Sequence, residues 1–185
     1  MGEFPVGRID ALYLHWTGAD DRSVFESYHY CIARAGSGLA IVQTRDPRAN
    51  MRDIRSDPAL PYAAHTLGRN SYALGIAVAG MLDATPSDFG PYPLRDDAIE
   101  ALCYTIAHLA MQYAIPIEAA FVMTHAEAAA VDGYFGVDPI EERWDLGRLH
   151  PEDWPIEPSD ARHAGDTIRA RAVAVMSSLS PRTAP

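Results

Sequence analysis

The chain has little cysteine, few basic residues and no long apolar run, and each shortage closes off a class of protein. Cys31 and Cys103 are the only two cysteines in 185 residues, too few for a disulfide framework. Each lies in an apolar stretch where a small buried thiol fits, so two free core thiols are expected. No run approaches the roughly 20 apolar residues that span a bilayer. The first residues, MGEFPVGRID, hold neither a basic segment nor an apolar one, so no signal peptide is expected and synthesis in the cytoplasm is. Fifteen basic residues against 25 acidic ones give a formal charge of −10. That charge repels a phosphate backbone and an anionic surface alike, which excludes nucleic acid as a partner and leaves recognition to a shaped groove. Internal repeats and low-complexity segments are also missing.

What is present is an ordinary folded composition, 48% hydrophobic and 22% charged, at a length that suits one domain over residues 1–180. Apolar runs predict strands over 11–16, 28–33, 39–44, 72–80 and 120–124, the second and third joined as a hairpin by the turn-prone ARAGSG. The near-continuous apolar character of 72–80 suits a central strand covered on both faces. Ile99, Leu102, Ile106, Leu109 and Tyr113 recur at helical spacing and predict a helix over 94–114, with Asp96, Asp97 and Glu100 favouring its start and Pro116 ending it. A second helix is expected over 159–179. One or two helical turns are expected between Thr17 and Ser27 behind Asp20 or Asp21, an extended loop over 45–61, and a loop from His125 to about residue 142. Strands, a long helix, one more strand and a closing helix describe an α/β domain, a central mixed sheet flanked by helices.

Seven histidines raise the question of a metal, because neutral imidazole is a common ligand and zinc accepts nitrogen and carboxylate oxygen. His15 lies near the end of the first strand and His125 ends the strand before a glycine-rich stretch, so both can project at one edge of the sheet. On position alone a histidine at a strand end is more often a surface or hydrogen-bonded core residue, and no local spacing motif links the two.

Five blocks change that balance: LHWTGA at 14–19, YHYCIARAG at 28–36, AAHTLGRNSYALGIAVAG at 63–80, THAE at 124–127 and RWDLGRL at 143–149. In this order they resemble the type 2 N-acetylmuramoyl-L-alanine amidases, the family shared with phage lysozyme-like amidases and peptidoglycan recognition proteins. The resemblance spans about residues 9–150 and implies the peptidoglycan recognition protein-like amidase fold. It implies zinc as cofactor, held by His15, His125 and Asp145 with a fourth position left for water, which is the arrangement of a catalytic site. It implies Tyr28 beside the attacking water, with strand alternation turning Tyr28 and Tyr30 to one face and His29 to the other. His65, Asn70 and Trp16 are placed by the same blocks at the substrate groove. Arg143 stands where many relatives carry a lysine; it keeps the positive charge for an oxyanion but cannot donate a proton at accessible pH. Glu127, next but one to His125, is a candidate general base or an acceptor that fixes an imidazole tautomer.

The expected activity is hydrolysis of the amide joining N-acetylmuramic acid to L-alanine in peptidoglycan or soluble muropeptides, by a monomer. The rivals are a peptidoglycan-binding module without turnover and a vestigial domain of a phage or secretion assembly. Were the chain an exported antibacterial effector, an immunity or secretion partner would follow.

Overall fold

The computed structural model describes residues 7–135, 144–151 and 161–179. Its strands are β1 (Ala11–Trp16), β2 (Tyr30–Ala35), β3 (Gly38–Gln43), β4 (Ala73–Val78) and β5 (Val122–Thr124), and its helices α1 (Asp96–Tyr113), α2 (His125–Asp132) and α3 (Ala161–Leu179). The strands form one mixed sheet in the order β3-β2-β4-β1-β5. β1 runs parallel to both β4 and β5, β2 runs parallel to β4, and β3 closes the edge as an antiparallel hairpin with β2. β4 is buried along its whole length, as its unbroken apolar sequence requires of a strand covered on both faces.

The two faces of the sheet have different chemistry because side chains alternate along each strand. Leu12, Leu14, Trp16, Ile32, Leu74, Ile76 and Val78 point to one side. There they pack on Ile99, Leu102, Ile106 and Leu109 of α1 and Ala164, Ile168 and Ala172 of α3 in the main core. Each buried side chain of leucine size contributes about 1.5–3 kcal/mol, so this helix-covered face supplies most of the apolar stabilisation. The register places Tyr13 and His15 on the opposite side, beside Gly75 and Ala77 of β4. β4 offers only small residues there, Ala73, Gly75 and Ala77, and the space they leave is filled by imidazoles. A Cβ on Gly75 would lie 2.5 Å from the ring of His65; only glycine permits that approach.

The loop between β3 and β4 covers this second face and is shaped by two buried polar residues. Arg52 donates to the carbonyls of Ala49, Ile54, Asp57 and Leu60. Asn50 accepts from the Ala63 N–H and donates to the carbonyls of Ala63 and Asn70. Within the stretch expected to be extended, Pro47–Asn50 forms a single 3-10 turn, started by Asp46, whose side chain accepts from Arg48 N.

Two further local expectations are corrected. Residues 18–27 form turns and no helix: the Asp20 carboxylate accepts from the N–H groups of Arg22 and Ser23, and the Asp21 carbonyl accepts from Arg34 N. The Asp20 bonds are those of a helix N-cap, but the Asp21 carbonyl, which the first turn of a helix would need, is taken by Arg34 N. After β5 the chain enters α2 at once instead of a loop. Thr124 caps it, its hydroxyl accepting from Glu127 N while the Glu127 carboxylate accepts from Thr124 N; the sequence T-x-x-E of this capping box was present in THAE. Both cysteines are free and buried. Among the described residues no helix is long and apolar enough to cross a membrane.

Candidate metal centre

β1, the β5–α2 junction and the segment after residue 143 converge on three buried side chains. His15 comes from the last turn of the pleat in β1, His125 is the first residue of α2, and Asp145 approaches from the third segment. The Ala126 N–H donates to the Asp145 carbonyl, which fastens that segment to the first turn of α2. Asp145 Oδ2 lies 3.3 Å from His15 Nδ1 and 3.1 Å from His125 Nδ1. The ligand atoms of the three residues fall within 4.8 Å of one another.

A tetrahedral ion with bonds of about 2.0–2.1 Å to nitrogen and oxygen places its ligand atoms about 3.3–3.4 Å apart, so the Asp145 separation from His15 equals the edge of such a site and that from His125 is slightly shorter. The donor set, two imidazoles and one carboxylate, also suits zinc with one position left open. Burial by itself would raise the Asp145 carboxyl, but the charge of His125 and the hydrogen bonds to both rings outweigh it and hold the group well below the ordinary carboxylate range. Asp145 is therefore the anion that a buried cation requires.

His15 is steadied from behind. Its Nε2 lies 3.1 Å from Thr66 Oγ1, and the same hydroxyl lies 2.9 Å from His65 Nδ1. Were Nδ1 of His15 to hold a metal, its Nε2–H would donate to Thr66 and the Thr66 O–H to His65, a hydrogen-bond chain that would fix the tautomer of the ligand. Burial first, then the neighbouring imidazoles His15 and His29, push His65 well below its ordinary pKa, so it accepts from Thr66 as a neutral ring. His29 Nδ1 accepts from Gly75 N, which also demands a neutral ring, and burial pushes its pKa down to about 4.

Tyr28 precedes β2 and is not one of its pleated residues, so alternation does not place it. It reaches the site even so: its ring centre is 5.1 Å from that of His15, and its hydroxyl donates to the Trp16 carbonyl at 3.1 Å. Tyr30 packs instead against the helix-side core.

A groove of about 560 Å³ reaches the cluster at His125, with His65, Thr66, Asn70, Tyr62 and Arg55 also on its wall. His65 is buried at its floor. Asn70 holds the wall in shape, its Oδ1 accepting from the N–H groups of His65 and Thr66. Arg69, from the same turn, forms a two-pronged pair with Asp132 at the far end of α2, which ties the groove wall to the helix that carries His125.

Two expected site residues face elsewhere. Trp16 follows His15 in the strand and so points to the opposite side, where it packs edge-on against Trp144 at 4.3 Å in the core. The Glu127 carboxylate is bound by Thr124 N and by both terminal nitrogens of Arg169; none of these partners is an imidazole. Arg143 lies outside the described residues. Thr66 was missed, although it stands beside His65 in AAHTLGRN, and Arg169 carried no local signal at all.

The family model described as N-acetylmuramoyl-L-alanine amidase matches residues 5–143. No curated protein matches the chain. The matched segment contains His15 and His125 and stops two residues before Asp145, whose membership of the cluster rests on geometry.

Proposed function

The chain belongs to the N-acetylmuramoyl-L-alanine amidase family by a match over residues 5–143, and from that premise we propose a zinc-dependent hydrolase that cleaves the amide between the lactyl group of N-acetylmuramic acid and L-alanine. The observation that carries this reading is the pair of Asp145 separations, 3.3 and 3.1 Å to two histidine Nδ1 atoms. Zinc held by His15, His125 and Asp145 would supply Lewis acidity to the scissile carbonyl and to the attacking water.

The remaining work falls to the chain's own residues. The groove bearing His65, Tyr62 and Arg55 binds the muropeptide and aligns its amide with the metal centre. Tyr28, beside His15, orients the attacking water and takes part in moving its proton. Arg143 supports the negative charge that develops on the amide oxygen, using a fixed fork of donors in place of a lysine point charge. The chain contains no lysine at any position, so positive charge in this region is arginine's to provide. The stem peptide leaves with a free amine on L-alanine.

Digestion of purified peptidoglycan tests this directly. New L-alanine amino termini should appear, vanish on chelation and return when zinc is added back. Cleavage between sugars, or amide cleavage indifferent to chelation, would contradict the proposal.

A further inference from the structure

Arg169 lies on α3, outside the residues on which family membership rests, yet its side chain ends at the junction that carries His125. Nη1 donates to the Val122 carbonyl of β5 and to Glu127 Oε2, both at 2.8 Å, and Nη2 donates to Glu127 Oε1 at 2.8 Å and to Asp166 at 2.6 Å. Glu127 Oε2 in turn accepts from Thr124 N, and Thr124 Oγ1 accepts from Glu127 N. Residues 122, 124 and 127 are thus tied together around His125. The next N–H, that of Ala126, holds the Asp145 carbonyl, so the same turn of backbone sets two of the three metal-centre residues.

α3 can come this close only because residue 165 is glycine. A Cβ there would sit 2.2 Å from the Glu127 carboxylate. The Arg169–Glu127 pair is buried on both sides. Such a pair adds little net stability over apolar residues of equal volume; what a two-pronged guanidinium–carboxylate contact adds is fixed orientation.

We propose that Arg169 is a positioning residue for metal binding: through Glu127 it locks the first turn of α2, and with it His125 and Asp145, in the ligating arrangement. This rests on the zinc reading above, and the two fail separately. The test compares zinc affinity by chelator competition, and the visible spectrum of the cobalt-substituted protein, in the wild type, in Arg169→Lys and in the double variant Glu127→Gln, Arg169→Met. The double variant removes the charges together while glutamine can still accept from Thr124 N. Circular dichroism and thermal unfolding of the metal-free proteins report folding.

Folded variants whose zinc affinity falls on the order of 10–100-fold, with an altered cobalt spectrum, support the proposal. Wild-type affinity and spectrum in a folded variant overturn it, as does failure of both variants to fold, which would make the pair purely structural. A wild type that takes up no zinc fails at the metal reading itself.

Discussion

Asp145 is the residue on which the proposed metal centre turns, because among the described residues it is the anion that His15 and His125 share. Asp145→Asn keeps the shape and removes the charge; zinc affinity should fall by more than the ~10–100-fold typical of an outer partner, measurable by chelator competition. Thr66 is such an outer partner. Thr66→Val should weaken zinc binding about 10-fold and Thr66→Ser should restore it, since only the hydroxyl links His15 to His65; equal binding in both variants would remove Thr66 from the site. At this scale the sequence was informative where a block named a residue and misleading where adjacency stood in for direction. Trp16 had to point away from His15, its neighbour in a strand. Glu127 three residues after Thr124 was already a capping box, and its engagement by Arg169 depended on a contact 42 residues distant that no local pattern encodes.

The elements that bury apolar surface were legible because burial imposes a period. β1 begins and ends where its apolar run does, and α1 follows the spacing of Ile99, Leu102, Ile106 and Leu109. α2 was hidden by its own composition, a short alanine-rich segment with no apolar stripe, followed by Gly133. The loop from the 3-10 turn Pro47–Asn50 to Ser71 has no period either; Arg52 and Asn50 shape it through backbone carbonyls. β4 is the element whose small residues make room for the site. Gly75→Ala should destabilise the fold by about 1–3 kcal/mol, the usual cost of overpacking, and displace His65. Urea unfolding gives the first effect; an unchanged midpoint would show that the ring has room to move.

At the scale of the whole molecule, one face of the sheet is a core and the other holds a row of imidazoles, which gives the fold a sensitivity to acid. His29 has a folded pKa of about 4, below the ~6.5 of an unfolded histidine. Between those values the unfolded chain binds the proton and the folded one does not, so stability falls as pH drops from about 6.5 to about 4, by on the order of 3 kcal/mol from this residue. Above that window both states are neutral and its contribution is constant. Urea midpoints across this range should decline; a flat profile would mean that His29 takes up its proton as readily in the folded chain as in the unfolded one, the bond from Gly75 N notwithstanding. The mixed sheet and its helices were legible as a class, while the strand order β3-β2-β4-β1-β5 was not, because pairing between distant strands leaves no local pattern. The catalytic zinc proposed on this face of the sheet is tested most directly by zinc content alongside amine release from peptidoglycan, for the wild type and for His125→Ala. About one zinc per wild-type chain with amidase activity, and loss of both in the variant, is the predicted result; activity that survives in a zinc-free His125→Ala protein would contradict it.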